Sequence, residues 1–154
     1  GTTGHRARHP MRLVLHLCLP ADARFLPQTR KAIDGYLAAV GTDAEHRSDV
    51  VLALDEACAN VVRHAFPHGT TGDIDVRVEL TEDVVIVQVE DEGVGFDPFE
   101  VPLREVELED QSGRGLRIIR QLMSSVQVES PTVSGGTRVR MAKHLVSDPG
   151  ARSS

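Results

Sequence analysis

The segment LALDEACANVVRHAF at 52–66 is apolar except for a few polar residues at helical spacing. At about 100° per residue, Glu56 and Asn60 lie about 40° apart on a helix, and Arg63 lies about 20° to the other side of Glu56. Asp49 falls in the same sector, whereas Asp55 points away. A solvated helix face would account for such a stripe. The chemical reading is more specific. A carboxylate accepts a proton from an attacking hydroxyl or water. An asparagine carbonyl is a neutral oxygen ligand, suited to Mg²⁺ that also binds phosphate oxygens and water. Phosphoryl transfer needs both parts in fixed geometry, because its catalysis is mostly positioning and charge neutralisation.

Two glycine-containing stretches could serve the same chemistry. VEDEGVGFDP sets Asp91 at the end of an apolar run, followed by Gly93 and Gly95. Asp and Gly make strand-ending turns routinely. In a nucleotide site the same carboxylate would accept from the exocyclic amine of adenine, and the glycines would let backbone approach the ring. QSGRGLRIIRQLM sets Gly113 and Gly115 at a helix start, where backbone N–H groups attract phosphate. The third small-residue turn, SGGT at 134–137, reads alone as a hairpin. Other nucleotide motifs fail: no glycine precedes a lysine, both G-x-G pairs lack the third glycine of G-x-G-x-x-G, and HRSD at 46–49 has no D-F-G after it.

The elements that must hold these residues follow from periodicity. Leu13, Leu15, Leu17 and Leu19 alternate in a half-buried strand that Pro20 stops. Phe25, Leu26, Thr29, Ile33, Tyr36, Leu37 and Val40 have helical spacing, closed by Gly41. Thr42 and Asp43 can cap the helix of the opening segment, which should run to about Phe66, with Leu52, Leu54, Ala57, Cys58, Val61 and Val62 as core. Ile74 to Leu80 and Val84 to Val89 form a hairpin turning at TED. Residues 91–112 are acidic and aperiodic, a length that usually signals a functional loop. A short helix and a second hairpin, 126–130 with 137–142, complete the domain. The predicted fold is α+β, a two-layer sandwich with helices on one face of a mixed, mostly antiparallel sheet.

Composition limits the function classes. The chain has 154 residues, 40% hydrophobic and 26% charged, which suits one domain with a real core. That domain is expected at 11–146, with flexible tails at 1–10 and 147–154 and Met11 a plausible start. Net charge is −6 and no Lys/Arg run exceeds two, so a protein or small-ligand partner is expected rather than nucleic acid. No apolar stretch approaches the ~18 residues of a membrane span. Cys18 and Cys58 are expected as two buried thiols in a reducing cytoplasm.

Taken in order, E-x-x-x-N on a helix, D-x-G-x-G after a strand, a long loop, G-x-G-L opening a helix and G-T before a last strand resemble the GHKL (Bergerat-fold) ATPases. LALDEACANVVRHAFP, DEGVGFDP and GRGLRIIRQLMSSVQVES are similar to the anti-sigma factor / serine protein kinase family among them, over about residues 12–143. The resemblance implies Glu56 as general base and Asn60 as Mg²⁺ ligand. It implies Asp91 as the adenine contact and Gly93 and Gly95 as the pocket turn. Gly113, Arg114, Gly115 and Leu116 would form the phosphate side of a lid over 96–112, Thr137 would support the adenine and its water, and Arg63 would contact phosphate. It further implies Mg–ATP use, phosphorylation of an anti-anti-sigma (STAS-type) protein, sequestration of a sigma factor, a homodimer and a cytoplasmic location. An ATP-dependent binding module without transfer and a detached sensor-histidine-kinase domain are the alternative functions.

Overall fold

The computed structural model describes residues 11–66, 71–93, 114–133 and 135–145, with Arg114 and Gly115 as helix backbone only. Strand β1 (Arg12–Pro20) opens the fold, with Leu19 buried and the other alternating leucines partly covered. Asp22 then caps a single 3₁₀ turn at Ala23–Phe25, its side chain accepting from the Arg24 N–H at 2.9 Å. Helix α1 (Leu26–Ala39) carries Pro27 in its first turn, where the missing N–H costs no helical bond. It buries Leu26, Thr29, Ile33 and Leu37. Tyr36 and Phe25 stay exposed, because they lie to one side of that stripe. Gly41, with φ at +88°, turns the chain out of the helix.

Asp43 caps the long helix α2 (Ala44–His64), accepting from the His46 N–H at 2.8 Å. The helix stops at His64, two residues short of expectation. Val50, Ala53, Leu54, Ala57, Cys58 and Val61 form its buried face. Leu52 is not core: it is 49% exposed, and Val62 is half-buried. At 100° steps Leu52 falls nearly opposite Leu54 and Val61, so its side chain crests the solvent side.

Strands β2 (Asp73–Thr81) and β3 (Val84–Asp91) form the first hairpin, with Thr81 Oγ1 accepting from the Asp83 and Val84 N–H groups in the turn. Helix α3 (Arg114–Leu122) leads to β4 (Ser125–Glu129) and β5 (Thr137–His144). The sheet order is β1-β2-β3-β5-β4, and all four pairings are antiparallel. The described sheet is therefore wholly antiparallel rather than mixed. Strands β2–β3 and β4–β5 are hairpins, β1 pairs with β2 across the two helices that join them, and the second hairpin docks on β3 by its later strand, β5.

One face of this sheet meets the helices. Ile74, Val76, Val78, Leu80, Val85 and Val87 are fully buried against it, with Met141 from β5. Helix α2 packs between α1 and α3 and touches β3 and β5. Lys143 on β5 fastens these layers: its Nζ reaches Asp49 Oδ2 at 3.0 Å and donates to the Leu122 carbonyl at 2.6 Å. Cys18 is exposed, contrary to expectation, while Cys58 is buried; both are free thiols. No described helix is long and apolar enough to cross a membrane. The expected tails and the segment 94–113, which holds the expected lid together with Gly95 and Gly113, lie outside the described residues.

Candidate functional site

Helix α2 has two polar flanks. On one, Asp55 accepts from Arg30 Nη1 of α1 at 2.6 Å. On the other lie Asp49, Glu56 and Asn60. Asp49 is taken up by Lys143 at the α3–β5 junction, so this flank turns toward α3 and the sheet rather than toward α1. Glu56 is 31% exposed at its side chain, neither core nor free surface. Arg63 joins the set: its Nη2 donates to Asn60 Oδ1 at 2.8 Å and lies 3.9 Å from Glu56 Oε2. Glu56, Asn60 and Arg63 are thus brought together as the spacing predicts, and Asp49 serves the scaffold. Burial and the neighbouring Arg63 hold His64 below the usual imidazole range, so Arg63 is the cation of this helix end near neutral pH.

The second group forms at the end of the central strands, where Ile74, Asp91 and Thr137 share one row across β2, β3 and β5. Asp91 is only 3% exposed. Burial pushes its carboxyl above the ordinary aspartate range. Backbone donation from Gly93 and Thr137 opposes that rise, and Glu90 adds to it. The Gly93 N–H lies 2.9 Å from Asp91 Oδ1. A methyl group on Gly93 would lie 2.1 Å from the Ala65 carbonyl, so this turn sits directly against the C-terminal end of α2. The two groups are therefore joined by a close backbone approach. Thr137 Oγ1 shares a hydrogen bond with Ser130 Oγ at 2.8 Å.

Arg114 and Gly115 open α3 as expected, and Leu116 packs partly buried against the core. Gly136 enters the sequence pattern only as the glycine of the G-T before the last strand, and Ser130 does not enter it. A methyl group on Gly136 would lie 1.9 Å from the Asp91 carbonyl oxygen, so only glycine lets β5 start beside Asp91. The signal for it was a glycine immediately before a strand. Its meaning depends on which strand lies alongside.

A half-covered carboxylate and amide on one helix flank, joined to a buried carboxylate at a strand end, suit a nucleotide that lies from base to phosphates across the end of α2. The model of the histidine kinase-like ATPase domain matches residues 19–143, and the chain belongs to that family. It is an ATP-using domain. Within the family, the chain is similar to proteins named serine-protein kinase RsbW. The relative from Listeria innocua is 31% identical over 138 residues, 84% of this chain and 85% of its own length. The one from Bacillus velezensis is 29% identical over 140 residues, 85% of each. Solved structures agree on the fold. The RsbU and RsbW domains of a Mycobacterium tuberculosis protein match with a TM-score of 0.66 at 23% identity, over 88% of this chain and 33% of that one. The histidine kinase domain of a blue-light activated kinase from Erythrobacter litoralis matches with a TM-score of 0.55 at 22% identity, over 79% of this chain and 60% of that one. This chain thus spans less than two thirds of either solved chain.

Proposed function

We propose that the chain is an ATP-dependent serine/threonine protein kinase that also acts as an anti-sigma factor, regulating transcription by partner switching. The carrying observation is Glu56, held half-covered on the flank of α2 that faces α3, one turn from Asn60 and 3.9 Å from Arg63. A protein that only clamps its partner in response to ATP has no need of a base there.

In this reading Asp91 accepts from the exocyclic amine of adenine, with Gly93 and Gly95 forming the pocket turn and Thr137 beside it. Gly113, Arg114, Gly115 and Leu116 lie on the phosphate side, and Arg63 leaves Asn60 to meet a phosphate oxygen. Glu56 takes the proton of a partner serine or threonine hydroxyl as that oxygen attacks the terminal phosphorus and ADP departs.

The donor set fits Mg²⁺. Such an ion keeps several waters and needs only one or two protein oxygens besides the substrate's phosphates. Asn60 Oδ1 offers one neutral oxygen, now occupied by the exposed and displaceable Arg63 guanidinium. No cluster of three or more His, Cys, Asp or Glu that could hold a metal forms among the described residues, so the ion would be held chiefly by the nucleotide. When bound it would neutralise charge on the phosphate oxygens.

The partners in this reading are a sigma factor and a STAS-type anti-anti-sigma protein, whose phosphorylation leaves the kinase free to hold the sigma factor. The oligomer is a homodimer and the location cytoplasmic. The test is incubation with radiolabelled ATP and anti-anti-sigma proteins encoded nearby. Label on a serine or threonine of one of them supports the proposal. ATP-dependent binding of such a protein without any label would reduce the protein to a nucleotide-gated clamp.

A further inference from the structure

Two buried hydroxyls, Thr42 Oγ1 and Thr132 Oγ1, find no hydrogen-bond partner among the described residues. A hydroxyl stripped of water without a replacement is costly, so each requires a reason. They sit at opposite ends of α2. Thr42 lies in the α1–α2 turn before Asp43, about 30 Å of helix from the Asp91 end. Thr132 lies in the β4–β5 connection and is 7% exposed.

Three observations set Thr132 beside the Asp91 group. The alternation of β4 continues past its last residue: Val126 and Val128 are partly covered, Ser130 and Thr132 are buried, and Glu129, Pro131 and Val133 are exposed. Thr132 is thus buried just beyond Ser130, which bonds Thr137 of β5. Its backbone N–H donates to the Gly136 carbonyl at 2.9 Å, and its own carbonyl accepts from the Gly135 N–H at 2.9 Å. Gly136 in turn lies against Asp91, where an added methyl would come within 2.8 Å of Asp91 Oδ1. The neighbouring hydroxyls are already engaged with each other, Ser130 with Thr137 at 2.8 Å. Among the described hydroxyls of this connection, Thr132 alone has no partner.

We infer that the Thr132 hydroxyl is a further contact in the nucleotide pocket, bonding the purine edge of the bound nucleotide directly or through one ordered water. Such a contact explains why a threonine and not a valine fills this buried position. The inference rests on the assignment of Asp91 to the base pocket.

The test compares Thr132→Val with Thr42→Val in the full chain, by calorimetric titration with Mg–ATP and by thermal melting without nucleotide. Both substitutions remove an unpaired hydroxyl, so both variants should melt at or above the wild-type temperature. Only Thr132→Val should bind ATP more weakly, by about 3- to 10-fold, the worth of one net hydrogen bond. Thr132→Ser should restore affinity. If Thr132→Val does not fold, Thr132→Ala replaces it in the same comparison. Wild-type ATP affinity in a folded Thr132 variant lacking the hydroxyl overturns the inference, as does an equal loss in Thr42→Val. Asp91→Asn separates the two levels: a loss there with none at Thr132 defeats only this contact, whereas no loss at either position defeats the pocket itself.

Discussion

Gly136→Ala should damage the fold and the site together, while the chemically identical change at Gly35 should help the protein. A methyl at position 136 would sit 1.9 Å from the Asp91 carbonyl oxygen and 2.5 Å from its carbon, where ordinary contact begins near 3.4 Å. The obstacle is backbone in a central strand, so β3 and β5 must part by about 1.5 Å at the Asp91–Thr137 row, well into the repulsive wall. Overpacking of this kind costs about 1–3 kcal/mol. Opening one ladder bond adds about 1 kcal/mol. The stiffer unfolded chain returns about 0.4–1 kcal/mol. The net loss is about 1–3.5 kcal/mol, or roughly 2–14 °C in Tm for a domain of this size. Gly35 is exposed in α1 with nothing within 4 Å of an added methyl. There Ala removes the helical penalty of Gly and should gain about 0.5–1 kcal/mol. Differential scanning calorimetry of both variants, with an ATP titration of each, reads the effect. A Gly136→Ala protein that melts at or above the wild type and binds ATP normally would refute the close approach and the pocket built on it.

Three further outcomes are expected. Asp91→Asn should lose about 1.5–3 kcal/mol of ATP affinity and with it the preference for adenine over guanine nucleotides; equal ATP and GTP affinities in the wild type would contradict the assignment. Because burial raises the Asp91 pKa, the stability linked to that group is present below the ordinary carboxylate range and lost as pH rises through its folded value. The nucleotide-free Asn variant should therefore hold or gain Tm at neutral pH, while wild-type ATP affinity should fall on acidification at a higher pH than an ordinary aspartate would give. Asn60→Ala should fold and lose Mg²⁺-dependent ATP binding, which calorimetry with and without EDTA would show; unchanged Mg²⁺ dependence would remove Asn60 from the site. Lys143→Met should lower stability by about 1–3 kcal/mol through loss of the Asp49 and Leu122 bonds, with ATP affinity retained; an unaltered urea midpoint would show the fastening to be ornamental.

Local signals were the legible ones. The Glu56–Asn60–Arg63 set needs only the helical repeat, and Asp91 needs only the end of an apolar strand and a glycine turn. What was missed depends on contacts far apart in the chain. Asp49 matches the functional stripe by angle, and only Lys143, from the last strand, shows that it belongs to the scaffold. Gly136 acquires a role because the second hairpin docks on β3 by β5, and a hairpin offers two edges between which its own sequence does not choose. Leu52 was misplaced because residue type outweighed its angle on the helix. Cys18 was misplaced although the alternating leucines of β1 already put it on the opposite, uncovered face of the sheet.

Glu56→Gln distinguishes a kinase base from a carboxylate that merely sits on the helix flank. The substitution keeps size and hydrogen-bonding shape and removes only the proton acceptor. Phosphate transfer from labelled ATP to the anti-anti-sigma protein should be measured beside ATP and partner affinities for the same preparation. Both affinities should stay near wild type while transfer falls by about 10²- to 10⁴-fold. Transfer at the wild-type rate in a variant that still binds ATP and partner would show that Glu56 is not the base.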